Sequence, residues 1–404
     1  MIDSSRVRVT GPLSPFAAGF GAELGRQGYA PGSAIHRLRL LAHLSRWLAE
    51  EGLDLHRFFP VEAERFLEAR RASGYSNYRS SGSLTPLLAY LRGLGVVPTP
   101  PPAPAPAGEV EELLGCYRRY LILERGFKEL TAEDYARAVR PFLSERVSPG
   151  GLDLDRLSAA DVTAFAVASF PRQSRGRAKK TVVALHSLLR FLHLQGVIPG
   201  PLAAAVPSVA GWRLAGLPRG LEPAQARSLL ASCDRDTVQG RRDFAIITTL
   251  LRLGLRAGEL ATLGLDDIEW RAGEIVVRGK GGREERLPLP ADVGEAIAAY
   301  LRDGRPASAQ GRSVFVRLVA SHQALGRSAV SCVVASAARR AGLEPIYAHR
   351  LRHTAATEIL RAGASLPEVG QLLRHHHIQT TAIYAKVDRE TLRGLVRPWP
   401  GGVA

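Results

Sequence analysis

The chain has 404 residues, 46% of them hydrophobic and 23% charged, with a net charge of +16; this excludes a disordered chain and gives length for about two or three domains. No run reaches the roughly 18 apolar residues of a membrane span, and Cys116, Cys233 and Cys332 are too few and too scattered for a disulfide framework or a zinc site. What remains is a soluble, non-exported protein of a reducing cytoplasm whose basic surface suits a polyanion, nucleic acid first.

The first predicted elements are amphipathic helices. The apolar stretch 16–20 is broken at once by Glu23 and Arg26, and over residues 37–49 apolar positions recur at three- and four-residue spacing. Arg70, Arg71 and Arg79 add a thin basic group. Residues 98–107, PTPPPAPAPA, can neither hold a helix nor donate to a ladder, and read as a stiff linker.

The module after the linker echoes the one before it. Leu53-Asp54-Leu55-His56-Arg57 and Phe66 match Leu152-Asp153-Leu154-Asp155-Arg156 and Phe165 at one constant spacing. Tyr90-Leu91 and Gly95 match Phe191-Leu192 and Gly196, and Gly28-Tyr29 pairs with Gly126-Phe127. Agreement of three segments in the same order points to a duplication. In the second copy Arg172, Arg175, Arg177, Lys179 and Lys180 form a dense basic run that leads into an apolar-striped helix over 181–194. Such an entry suits DNA phosphates or a major groove, and equally a solvated charged face. Pro199, Pro207 and Pro218 then mark a second break. The expected layout is an N-terminal helical domain over 1–97, a linker over 98–107, a second helical domain over 108–200, a linker over 201–220 and a C-terminal domain over 221–404.

The C-terminal part is mixed. An apolar helix over 243–253 is followed by a Gly-containing turn and a further helix starting at Glu259. Residues 274–278 and 285–289 alternate like strands around Gly279-Lys280-Gly281-Gly282, a hairpin pattern. Helices fill most of the remainder, with a short one expected over 388–395.

Four separated motifs carry the chemistry. They are Leu253-Gly254-Leu255-Arg256-Ala257-Gly258-Glu259, Lys280 on the hairpin tip, His349-Arg350-Leu351-Arg352, and Leu372-Leu373-Arg374-His375 followed by Thr380-Thr381-Ala382-Ile383-Tyr384. In combination they resemble the boxes of the tyrosine recombinases, the phage-integrase family, over residues 110–390. The resemblance gives Arg256, Lys280, His349, Arg352 and His375 as catalytic residues, Tyr384 as nucleophile and Glu259 as the acidic supporter of Arg256. Its spacing to Tyr384 selects His375 from the run His375, His376 and His377. One position departs from the pattern. The family usually has glycine before the second histidine, and here Arg374 stands there, a cation able to add a phosphate contact or to displace His375.

The residue types suit the chemistry. Attack of a hydroxyl on a phosphodiester builds charge on the non-bridging oxygens, so fixed cations must surround one phosphate. Arg256 and Arg352 are natural clamps, and His349 and Arg352 share one helix face. Tyr384 can form a reversible phosphodiester, Lys280 can protonate the departing 5′ oxygen, and Arg283 and Arg286 can hold the backbone nearby.

The resemblance implies a multidomain fold, with two mainly α-helical SAM-like, core-binding domains followed by a mixed α+β catalytic domain, arranged as a clamp around duplex DNA. It implies strand exchange through a 3′-phosphotyrosine and a Holliday junction by a homotetramer on two double-stranded DNA recombination sites, with no metal, ATP or other cofactor and no membrane partner. The setting would be a nucleoid-associated enzyme of a mobile element, some of which encode several recombinases side by side. Two other readings use the same scaffold: a non-cleaving architectural DNA-binding protein, and a relaxing enzyme like the type IB topoisomerases. The end of the chain, with Trp399, fits either docking on a neighbouring subunit or a disordered tail.

Overall fold

The computed structural model describes residues 7–100, 108–210, 220–279 and 283–374, together with Thr381 and Tyr384. The chain forms two compact units, one of residues 99–215 and the other of 1–98 together with 216–404.

Residues 7–98 carry four helices, α1 (Ala17–Arg26), α2 (Pro31–Glu50), α3 (Pro60–Ala72) and α4 (Ser81–Gly93). Prolines open α2 and α3, where a missing N–H costs nothing. Their apolar stripes meet in one core around Leu38, Leu41, Trp47, Phe66 and Leu87. The stripe expected over 37–49 lies inside α2.

The unit of residues 99–215 repeats this helical composition. It contains α5 (Glu109–Arg119), α6 (Glu129–Ser144), a two-strand pairing of β1 (Val147–Ser148) with β2 (Gly151–Leu152), α7 (Ala159–Ser169) and α8 (Arg175–Leu194). Ser158 and Asp161 cap α7 reciprocally, and Ser174 caps α8 through the Arg177 N–H. Tyr117, Phe142, Phe165, Leu188 and Phe191 fill its core. Since α8 begins at Arg175, four of the five basic residues sit inside its first turns rather than before it.

Residues 220–374 are mainly helical around one small sheet. The elements are α9 (Pro223–Ala231), α10 (Val238–Leu253), α11 (Ala257–Ala261), β3 (Ile268–Glu269), β4 (Glu274–Arg278), β5 (Glu284–Pro288), α12 (Ala291–Asp303), α13 (Arg327–Arg340), α14 (Ala348–Arg361) and α15 (Leu366–Leu372). The strands form an antiparallel β3-β4-β5 sheet in which Arg278 faces Glu284 and Val276 faces Arg286. Helix α10 is buried through Ala245, Ile246, Ile247 and Leu250 and packs on α12 and α14.

Two boundaries differ from the sequence expectation. The helix expected from Glu259 onward stops at Ala261, with Thr262 as its C-cap and its hydroxyl on the carbonyls of Gly258 and Glu259. A separate 3-10 turn follows at Leu265–Asp267. The second strand starts one residue early, at Glu284, whose carboxylate is held by Arg278 at 2.9 Å.

Candidate active site

Arg256 is placed by a reversal of the chain. Gly254 closes α10 in the left-handed conformation, φ +56°, which glycine adopts without a Cβ clash. The chain then re-enters helix at once, with Arg256 as the N-cap of α11 and Glu259 in its first turn. The Glu259 carboxylate accepts the Arg256 backbone N–H at 2.8 Å and its Nη1 at 2.5 Å. Burial pushes that carboxyl upward, but Arg374 and Arg256 outweigh it, so it lies below its ordinary value and is ionised at neutral pH.

Helix α14 supplies the next group. Arg352 is only 2% exposed. It donates from Nη1 to the Gly254 carbonyl at 2.5 Å and from Nη2 to the Leu373 carbonyl. Burial, then Arg256 and Arg374, lower it to about 10, which leaves it cationic at neutral pH. His349 and His353, one turn apart, meet edge to face with ring centres 4.4 Å apart. His349 is exposed as a residue, yet desolvation and then Arg352 and Arg256 hold it below the usual imidazole value.

Tyr384 reaches this group from beyond α15. Its ring is buried with Ala356, Val369 and Leu373, and its hydroxyl lies 2.8 Å from His353 Nδ1. Burial raises the phenol, with Arg352 opposing, while burial, His349 and Arg352 push His353 down to about 4. The imidazole at the tyrosine is therefore neutral at physiological pH. Sequence reasoning assigned His353 no role. The available signal was its position, one helical turn after His349 and next to Arg352.

Arg374 adopts φ +55°, a left-handed conformation that costs a non-glycine residue about 1 kcal/mol. It ends α15 where a helix commonly has glycine, with its N–H bonded to the Gln371 carbonyl at 2.9 Å. Its side chain turns inward and is buried. Nη2 donates to Glu259 at 2.8 Å and Nη1 to the Leu372 carbonyl at 2.9 Å.

Arg256, Glu259, His349, Arg352 and Tyr384 are thus joined in one network, whereas Lys280 and His375, like the expected helix over 388–395 and Trp399, lie outside the described residues. Arg283 and Arg286 are exposed on the hairpin, with Arg286 paired to Glu274 at 3.2 Å. Arg172, Arg175 and Arg177 are exposed around the start of α8; Lys180 pairs with Asp134 at 2.5 Å, and Lys179 is half-buried. Among the described residues no group of three His, Cys, Asp or Glu side chains is placed to hold a metal ion, and no helix is long and apolar enough to cross a membrane.

The thin basic group of the first module needs correcting. Arg70 is buried, stacked 4.1 Å over Tyr75 and 2.6 Å from His43, and Arg71 pairs with Glu64. Arg79 is exposed, and Arg70 lines a cleft of about 390 Å3 together with Arg8 and with His36, Arg39, His43 and Arg46 of α2, where burial and then Arg70 hold His43 below the usual imidazole value.

Comparison with known proteins accords with this arrangement. The model of the phage integrase family matches residues 219–391, and that of the phage integrase N-terminal SAM-like domain matches residues 114–196. The "Putative integrase/recombinase y4rA" of Sinorhizobium fredii is 42% identical, the match covering 97% of this chain and 95% of that protein. Tyrosine recombinase XerD of Listeria monocytogenes is 32% identical over 71% of this chain and 98% of its own length. In fold, the chain resembles the XerH site-specific recombinase in its post-cleavage complex with palindromic difH substrate, with a TM-score of 0.57 at 18% identity, over 85% of this chain and 98% of that one. On the family match and the similarity to y4rA over nearly its whole length, the chain belongs to the phage integrase family of tyrosine recombinases, enzymes that cleave and rejoin DNA.

Proposed function

We propose that this recombinase cuts DNA by attack of Tyr384 on a phosphodiester, forming a 3′-phosphotyrosine and releasing a 5′-hydroxyl. The observation that carries the reading is the fixing of two arginines, Arg256 and Arg352, to the turn at Leu373 and Arg374, beside the cluster that buries Tyr384. Arg256 and Arg352 bind the non-bridging oxygens and offset the charge that grows on them. His349 adds a donor from the same helix face as Arg352. The neutral His353 ring, in the tautomer protonated on Nε2, accepts the phenol proton as a hydrogen bond. Lys280 gives a proton to the departing 5′ oxygen, and His375 completes the set. In the return step a partner strand's 5′-hydroxyl attacks the phosphotyrosine and frees the tyrosine, so the bonds balance without an external energy source.

The first module acts as a second SAM-like domain, a reading supported by its matching segments and its four-helix composition, and its α2 face contacts the DNA backbone. Arg172, Arg175, Arg177, Lys179 and Lys180 around the start of α8 and Arg283 and Arg286 on the hairpin hold the duplex at the crossover site. The working assembly is a homotetramer on two sites in the nucleoid, serving integration, excision or transposition of a mobile element.

The test is incubation of the protein, and of Tyr384→Phe, with nicked suicide duplexes built from sequences flanking its gene, without added metal. The expected result is an SDS-resistant protein–DNA adduct from the wild type only. An adduct from Tyr384→Phe would exclude Tyr384 as nucleophile. Binding without any adduct would favour an architectural role, and relaxation of supercoils without Holliday junctions a topoisomerase-like one.

A further inference from the structure

The left-handed turn at Leu373 and Arg374 touches every charged member of the described centre. Its two carbonyls receive the arginines: Leu373 accepts from Arg352, and Arg374 from Arg256 Nη2 at 3.5 Å. The Arg374 side chain is 2% exposed and the Glu259 side chain 4%. Glu259 Oε2 is shared between the Arg374 guanidinium and the Arg256 backbone N–H, each at 2.8 Å, while Oε1 takes Arg256 Nη1. The buried Arg374 Nε has no hydrogen-bond partner among the described residues. An arginine left with a strained backbone and an unmet donor needs a compensating role.

We propose that Arg374 is a positioning residue of the strand-cleaving centre, whose buried guanidinium is the counter-charge that keeps Glu259 an ionised anchor for Arg256. It does not itself reach the DNA: Arg352 is as enclosed but is held only by neutral carbonyls, whereas the Arg374 charge is already balanced by the Glu259 carboxylate. A carboxylate this deeply buried pays a large desolvation cost for its charge, and one arginine shared with a phosphate is a poor counter-ion for it. With Arg374 present, Glu259 stays charged and holds the Arg256 backbone and Nη1, while the rest of the Arg256 guanidinium, 40% exposed, is left for the phosphate. Among the described residues, the charged groups facing Glu259 are Arg256 at the start of its own helix, Arg374 after α15 and Arg352 on α14.

This inference rests on the strand-cleaving reading above, and the same nicked suicide duplex tests both. Single-turnover adduct formation is followed from pH 5 to 9 for wild type, Arg374→Gly, Arg374→Lys, Glu259→Gln and the Arg374→Gly/Glu259→Gln double variant, with DNA affinity and thermal melting alongside. Glycine suits the backbone at 374, so Arg374→Gly tests the charge without forcing the turn. In Arg374→Gly an acidic limb should move up into the range above pH 5, where wild-type Glu259, held below its ordinary carboxyl value, contributes none, with the rate at a fixed pH on that limb falling about tenfold for each pH unit of displacement. Its DNA affinity should stay within about twofold. Arg374→Lys should lower the plateau but leave the limb in place, and the double variant, with no carboxyl to titrate, should lose the displacement.

A rate reduced equally at every pH in Arg374→Gly would overturn the proposal in favour of plain packing. Weakened DNA binding with an unchanged profile would overturn it in favour of direct phosphate contact, and a displaced limb persisting in the double variant would show that Glu259 is not the titrating group. If the wild type gives no adduct, the strand-cleaving reading fails first and this one with it.

Discussion

Arg352 is tied by two main-chain oxygens from different turns, Gly254 and Leu373. Only a planar fork spans two such acceptors while keeping donors for a phosphate, and an ammonium cannot. Arg352→Lys should therefore lower single-turnover cleavage by about a hundredfold or more and destabilise the fold by about 2–3 kcal/mol, read from urea melts. His353 gives a pH prediction. Its folded value, about 4, lies below the ordinary imidazole value near 6.5, so the unfolded chain binds a proton that the native one refuses. The associated stability is complete above about 6.5 and is lost as pH falls toward 4. His353→Gln should shrink the fall in urea midpoint between pH 7 and pH 5, and an unchanged fall would place the acid sensitivity elsewhere. Spacing among Arg256, His349, Arg352 and Tyr384 was legible because box patterns survive in sequence. The inward turn of Arg374 was not, since it depends on the sign of one φ angle and on Glu259 lying within reach. His353 was missed because nothing in the sequence states which side of α14 the tyrosine approaches.

Among the helices, the two modules carry their positive charge differently. The second concentrates it at the start of α8, and the first on α2, around the cleft that Arg8 and Arg70 also line. If Arg175 and Arg177 neutralise backbone phosphates, each Ala substitution should lower the slope of log affinity against log salt by about 1, measured by fluorescence anisotropy. Lys180→Ala should change it less, because Lys180 already faces Asp134. Arg39→Ala and Arg46→Ala together should lower the slope only on duplexes long enough to reach the first module. The hairpin strands were readable because alternation is a two-residue signal. The early end of α11 was not, because nothing in the spacing of its apolar residues marks Thr262 as the cap. The basic stripe of α2 was visible in principle at three- and four-residue spacing, but the apolar stripe on the same helix masked it.

Across the whole molecule, the cores of the two compact units are separate, so unfolding should not follow a single two-state curve. Phe142 is fully buried and packs edge-on against Phe165 at 5.2 Å, inside the unit of residues 99–215. Phe142→Ala should destabilise that unit by about 3–5 kcal/mol and move one calorimetric transition while leaving the other in place. The two compact units divide beside the prolines of residues 98–107, and the grouping of residues 1–98 with the catalytic half was not legible, because linker composition says nothing about which segments share a unit. The main-chain anchoring of Arg352 has a consequence for how this centre tolerates variation. No substitution deletes a carbonyl oxygen, so the turns at Gly254 and Leu373 can change side chains while the anchor persists. A one-residue insertion or deletion between α15 and Arg374 would swing the Leu373 carbonyl out of register, and with it the Arg374 carbonyl that receives Arg256, making chain length there less negotiable than residue identity.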